Sequence, residues 1–182
     1  MAIGDMVFGR FWALDPARDE DWDALYADQL PRVYNFFRYR VGSGPTAEDL
    51  TSQTFEKAWA ARHRYRRDLA GFSTWLMTIA RNVATDHWRR RREHAPLEAA
   101  GELSGGEEPH EGLERREMFG RLLHLLAELP ERDRELISLK YGAGLTNRAI
   151  AKQLRLTETN VGTMLHRAVQ KLRAGWPEEG AR

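Results

Sequence analysis

Between Glu93 and Gly112 the chain carries no lysine or arginine, gathers six glutamates with repeated Gly and Pro, and offers almost no large apolar side chain. Such a stretch cannot be threaded through a hydrophobic core. It divides the 182 residues into two parts, each long enough for only a few helices. Counting Lys and Arg against Asp and Glu gives +3 for residues 1–92, −6 for 93–112 and +4 for 113–182, so the formal net charge of +1 conceals two mildly basic units around an acidic connector. The organisation expected is an N-terminal extension (1–20), a first domain (21–92), a flexible acidic linker (93–112), a second domain (113–176) and a tail (177–182).

Within each unit the apolar residues recur at three- and four-residue steps, the mark of helices with one buried face. Trp22, Leu25, Tyr26, Leu30, Val33, Tyr34 and Phe37 form the first face, which Gly42, Gly44 and Pro45 end. Thr46 with Asp49 resembles a capping box opening a second helix that carries Leu50, Phe55, Ala58 and Trp59. A third begins near Ser73 and Thr74 and runs towards the arginines at 89–92. After the linker, Leu122, Leu125, Leu126 and Leu129 mark another helix; Pro130, Glu131 and Asp133 suit the first turn of the next, which Gly142 and Gly144 stop. Two short helices follow, 147–154 and 158 to about 174, each preceded by a capping threonine. No alternating strand pattern occurs, and the class expected is all-α: two small helical domains.

The last two helices have helix-turn-helix spacing. Ile150, Ala151 and Leu154 form one seam and Val161, Leu165, Ala168 and Leu172 the facing one, which turns Asn160, Thr163, Arg167 and their neighbours outward where a DNA major groove could receive them. An ordinary helical hairpin is the alternative. In the first unit, Tyr65, Phe72, Trp75 and Trp88 accompany Arg62, Arg64, Arg66, Arg67 and the run Arg89–Arg92, a mixture of rings and cations suited to unstacked bases and phosphates. The same aromatics could be core, and the same arginines a solvated helix end.

Several classes are excluded or disfavoured. There is no cysteine, hence no disulfide, thiolate metal site or cysteine nucleophile. The six histidines show no metal-ligand spacing, and no nucleophile elbow, phosphate-binding loop or dinucleotide turn is present, so no catalytic residue, metal or cofactor is expected and the chain is read as not an enzyme. Residues 1–14 are interrupted by Asp5 and Arg10 and form neither a spanning helix nor a secretory segment, so a cytoplasmic protein without membrane insertion is expected.

Four motifs in order decide among the readings: AEDLTSQTFEKAW at 47–59, FSTWLMTIARNVATDHWRRRR at 72–92, LAELPERDRELISLKYGAGLTNRAIAKQL at 126–154 and TETNVGTMLHRAVQKLR at 157–173. Together they resemble the extracytoplasmic-function sigma factors of the sigma-70 family, over about residues 22–92 and 115–174. The resemblance implies a sigma region 2-like bundle and a region 4-like helix-turn-helix domain. It implies as partners core RNA polymerase, through its β′ clamp helices and β flap, and promoter DNA in double- and single-stranded form; an anti-sigma factor commonly restrains such proteins. Asp49, Leu50, Ser52, Gln53 and Phe55 match the helix that docks on polymerase, with Ser52-Gln53 standing where many relatives have Gln-Glu. Tyr65, Phe72, Ser73, Thr74, Trp75 and Asn82 match the loop and helix that open the minus-10 element, and Arg89, Arg90, Arg91 and Arg92 would grip duplex phosphates just upstream. Asn160, Thr163, His166 and Arg167 fall in the minus-35 reader, where Gly162 and Met164 replace the usual cations. A stand-alone helix-turn-helix regulator independent of polymerase is the rival function, but it leaves the first two motifs unexplained.

Overall fold

The computed structural model describes residues 22–94 and 112–176; the expected N-terminal extension, nearly all of the linker and the tail lie outside the described residues. The described residues form helices joined by short turns, with no strand among them. In chain order these are α1 (Trp22–Val41), α2 (Gly44–Ala60), a 3₁₀ turn (Arg62–Arg64), α3 (Phe72–His94), α4 (Leu113–Glu128), α5 (Glu131–Ile137) continued by one π-helical turn (Ser138–Gly142), α6 (Asn147–Leu154) and α7 (Glu158–Gly175).

Most boundaries follow from local chemistry. Gly42 ends α1 at a φ of 76°, and the Arg38 guanidinium donates to its carbonyl. The start of α2 differs from the capping box expected at Thr46. Ser43 is the cap, its hydroxyl accepting from the Thr46 amide at 3.4 Å, so Gly44 and Pro45 form the first turn. Proline fits there because its missing N–H would be unpaired in any case. The end expected at Gly142 also differs in kind: α5 passes into a π turn in which the Ala143 amide reaches the Ser138 carbonyl at 2.9 Å, and the reversal falls at Gly144, with φ 69°. Thr146 and Thr157 cap α6 and α7 by accepting from the amides of Ala149 and Asn160, each at 3.2 Å. Arg155 turns the chain between them in the left-handed region, φ 55°.

Val33, Phe36 and Phe37 of α1, Leu50 and Ala58 of α2, and Leu76, Met77 and Ala80 of α3 fill the interior of the first unit. In the second, Leu126 of α4, Leu136 and Leu139 around the π turn, Ile150 of α6 and Val161, Leu165 and Ala168 of α7 do the same. The two interiors are continuous: α1 packs along the π turn and also touches α4 and α5. Contact is closest at Gly142, where a Cβ would lie 2.9 Å from the Asn35 carbonyl oxygen and 3.0 Å from the Phe36 Cα. Around it, Arg38 lies over the Phe119 ring at 5.3 Å, and the buried Arg40 donates to the Glu131 carbonyl at 3.0 Å and faces its carboxylate at 3.5 Å. Burial draws the Arg40 guanidinium below its ordinary proton affinity, against the opposing pull of Glu135 and Glu131, but an arginine remains charged at any pH of interest.

Because α1 backbone, not a movable side chain, would meet the new methyl, Gly142→Ala should force α1 and the π turn apart while suiting the helical backbone of residue 142 itself. Small-angle scattering should then show a larger radius of gyration with unchanged helix content. A radius equal to the parent's would contradict the packing described.

Candidate nucleic-acid interface

Three surfaces gather the residues singled out by sequence. On α2, Asp49 and Gln53 are exposed and Ser52 half-buried, while Glu56 continues the same face. Glu56 was not anticipated, although it stands two helical turns beyond Asp49 and three residues beyond Gln53. Leu50 points inward and is 2 % exposed, so it supports the helix from below. Phe55 is half-buried against the Tyr26 ring, 4.4 Å between centroids. The Thr51 and Thr54 hydroxyls, buried beneath this face, each donate to the carbonyl four residues earlier at 2.7 Å and so leave no unpaired donor there.

The second surface is the segment 65–71 and the helix it leads into. Tyr65, Phe72 and Trp75 form a three-ring cluster with centroids 5.2 to 5.5 Å apart, and Trp22 of α1 meets Phe72 edge-on at 5.3 Å. Phe72 is buried, Tyr65 and Trp75 half-buried, so the rings anchor both ends of the loop and only the outer two have surface to offer. Beside them Arg62 stacks on Trp59 at 4.1 Å and donates to the Trp59 carbonyl at 2.9 Å. The Ser73 hydroxyl is buried without a hydrogen-bond partner, and the Thr74 carbonyl accepts from both Thr78 and Gln153.

Along one face of α3 the exposed residues are Thr78, Asn82, Thr85, Arg89 and Arg92, at steps of four, three, four and three. That spacing lays them in one stripe, polar then cationic, about 21 Å long at 1.5 Å per residue. Asn82, Arg89 and Arg92 were expected on it; Thr78 and Thr85 were missed, though the period that finds buried faces finds this one too. Arg90 is exposed beside the stripe, whereas Arg91 is half-buried across the Trp88 ring at 5.4 Å, so Trp88 serves packing. Arg89 pairs with Asp86 at 3.3 Å and Arg92 with Glu131 at 3.3 Å, exposed contacts that phosphates can displace at little cost.

The third surface is α7. Val161, Leu165 and Ala168 are buried against α5 and α6, and Asn160, Thr163, His166 and Arg167 are all exposed on the far side, joined by Thr159 and Gln170. Gly162 lies at the edge of the seam, where a Cβ would meet only the Asn147 side-chain amide at an ordinary 3.8 Å. Sequence matches follow the same division. Residues 25–94 match the model for sigma-70 region 2 and residues 119–172 the model for sigma-70 region 4. The chain is 32 % identical over 164 residues to the RNA polymerase sigma factor CarQ of Myxococcus xanthus, covering 87 % of this chain and 90 % of CarQ.

The chain belongs to the sigma-70 family, in its extracytoplasmic-function branch. It is similar also to the sigma factor SigM of Bacillus subtilis, 28 % identical with 84 % of this chain and 93 % of SigM covered. With BldN of Streptomyces coelicolor it shares 30 % identity over 85 % of this chain, but spans only 60 % of BldN's length. The fold of this sigma factor is that of the sigma factor RpoE in its co-crystal with the anti-sigma factor NepR from Bartonella quintana, at a TM-score of 0.71, 23 % identity and coverage of 86 % of this chain and 97 % of that one. CnrH, in complex with the cytosolic domain of CnrY, aligns at a TM-score of 0.58 with 24 % identity over 84 % of this chain and 83 % of that one. Sigma factors are not themselves enzymes. Among the described residues no helix is long and apolar enough to cross a membrane.

Two measurements check this geometry. Gly162→Ala removes a helix-interior glycine without a clash and should raise stability by up to about 1 kcal/mol, read as a higher midpoint in urea. His87 is held below the ordinary histidine value by burial and then by Arg91 and Arg90. The unfolded chain therefore takes up a proton that the folded chain refuses as pH falls below about 6.5, so stability should decline there, and less steeply in His87→Gln. A nuclear magnetic resonance titration with the His87 midpoint at or above the ordinary value would contradict it.

Proposed function

We propose that this sigma factor docks on core RNA polymerase through the outer face of α2, opens the minus-10 element with the 65–75 loop and α3, and reads minus-35 duplex with α7. The observation that carries this is the α3 stripe. A half-buried ring pair at Tyr65 and Trp75 precedes an exposed Asn82, which gives way along one helix face to Arg89 and Arg92. This order suits a single strand leaving a duplex. Rings and amide serve the unstacked bases, where stacking is worth about 1–3 kcal/mol per base, and the guanidinium groups serve the phosphates of the still-paired segment. The buried Phe72 and the inward Ser73 hydroxyl shape the loop, while the half-buried Thr74 stands at its rim with its carbonyl held by Thr78 and Gln153. Arg90 and Arg91 add positive charge at the duplex end.

The face of Asp49, Ser52 and Gln53 is polar, with Asp49 and Gln53 exposed, Phe55 at its border and Leu50 holding it to the core, which fits a protein partner whose contact is made by side-chain amide and carboxylate. On α7 the face of Asn160, Thr163, His166 and Arg167 holds a single arginine, so duplex binding there should be weak and shallow in its salt dependence. Minus-10 contacts then dominate selectivity. The reading places the protein with RNA polymerase in the cytoplasm, without catalytic chemistry or a cofactor of its own, and with an anti-sigma factor as a restraining partner, the kind of partner with which the Bartonella quintana RpoE was crystallised.

Co-purification with core polymerase tests the docking face. Asp49→Ala with Gln53→Ala should reduce recovery at least tenfold with the fold intact, and equal recovery would remove α2 from the interface. Arg167→Ala should weaken promoter duplex binding across sequences and lower the salt slope by about one. Unchanged binding would show that α7 does not lie on DNA.

A further inference from the structure

The ring cluster at the loop lies beside the point where the described residues begin. Trp22 meets Trp59 edge-on at 5.6 Å and Phe72 at 5.3 Å, and Tyr65 and Trp75 each stand one further step of 5.5 Å from Phe72. Trp59, Tyr65 and Trp75 are half-buried, so part of each ring meets solvent. Next to them the loop carries Arg62, Arg64, Arg66 and Arg67. Arg62 lies over the Trp59 ring at 4.1 Å, and Arg66 pairs with Asp68 at 2.9 Å, an exposed contact that another anion can displace at little cost.

Residues 1–21, which lie outside the described residues, have the complementary pattern. Phe8, Phe11 and Trp12 come first, at the spacing by which one side of a helical turn gathers its apolar residues. Asp15, Asp19, Glu20 and Asp21 follow, with Arg18 as the opposing charge, and run directly into Trp22. Three large rings within five residues are the composition of a segment that packs, not of a polar tether. Ten residues lead from Trp12 to Trp22, at most about 35 Å of extended chain, so these rings cannot stray far from the cluster.

We infer that, in the chain without DNA, residues 6–21 seat on this cluster, their three rings against its open edges and their carboxylates against the arginines, as a stand-in for the bases and phosphates of a single strand. The inference rests on the minus-10 assignment proposed above, since the same surface then receives either the segment or the unstacked strand. Charge sets the direction of the effect. An acidic segment pairs with arginines that a strand's phosphates also need, so it competes with DNA and does not add to its hold. Tethering makes a weak contact sufficient. At an effective concentration on the order of 1 mM, an intrinsic dissociation constant of about 0.1 mM keeps the segment seated ten to one, and a strand then binds about tenfold more weakly than to the bare surface.

Benzoylphenylalanine in place of Trp12, a photoreactive residue that keeps an aromatic side chain, is irradiated in the full chain and its cross-links are mapped by mass spectrometry. They should fall within the same molecule on residues 59–75, and fade when a randomised single strand of about 12 nucleotides saturates the protein. Cross-links that are absent, fall elsewhere or form only between molecules overturn the seating, and cross-links that persist under the strand overturn the competition. Strand binding supplies a second readout. Phe8→Ser with Phe11→Ser and Trp12→Ser leaves the charge unchanged and should bind about tenfold tighter, as should Asp15→Asn with Asp19→Asn, Glu20→Gln and Asp21→Asn. Parental affinity in the ring variant overturns the competition even where charge removal strengthens binding, because that gain alone is general attraction. Asn82→Ala in the ring variant tests the minus-10 assignment separately, and strand affinity should fall back. Affinity indifferent to Asn82, with cross-links still on 59–75, overturns that assignment and leaves the seating in place.

Discussion

The structure turns on the approach of α1 to the π turn at Gly142. Each half of this chain is about 70 residues, a size at which one hydrophobic core supplies only a few kcal/mol of net stability. Backbone contact at Gly142 lets Phe36 and Phe37 on one side and Leu136 and Leu139 on the other share one interior, and Arg40 closes its rim against Glu131. Two marginal units thereby lend each other buried surface. The π turn belongs to the same solution, since it places a residue without a side chain where α1 must pass.

The packing of the two units settles which surfaces remain available. The α2 face and the outer side of α7 stay exposed, while α6 holds the Leu69 and Thr74 carbonyls of the loop and first turn leading into α3. The contacts between the units are hydrogen bonds and ion pairs at a partly wetted seam, together with the apolar strip at Gly142. Such intramolecular interfaces separate more readily than a domain core.

The helices were legible because their signals are local: three- and four-residue spacing, threonine caps at 146 and 157, and acidic residues at the start of α5. The helix-turn-helix seams were legible for the same reason. Where local cues competed, they misled. Gly44 and Pro45 look like breakers but form a first turn because Ser43 lies before them; Gly142 does end the helix, but through a π turn seated against the α1 backbone. Ring residues could not be sorted by type: Phe72 is buried, Tyr65 and Trp75 partly exposed, and only packing against Trp22 decides which. The contacts of Arg81, Glu135, Lys152 and Gln153 were illegible, since these are ordinary polar residues until two units separated by an acidic connector are brought together. The family resemblance was carried by motif order over both units, which is why it named the whole assembly and not only its helix-turn-helix half.

Promoter choice by RNA polymerase under this sigma factor is tested by reconstituted transcription with core polymerase over a pool of randomised upstream sequences, with the starts sequenced. The account predicts transcripts absent with core alone, beginning a fixed distance downstream of a shared minus-10 element, with a weaker minus-35 element at constant spacing. Starts no more numerous or sequence-selective than those of core polymerase alone, with the added chain folded, would contradict it.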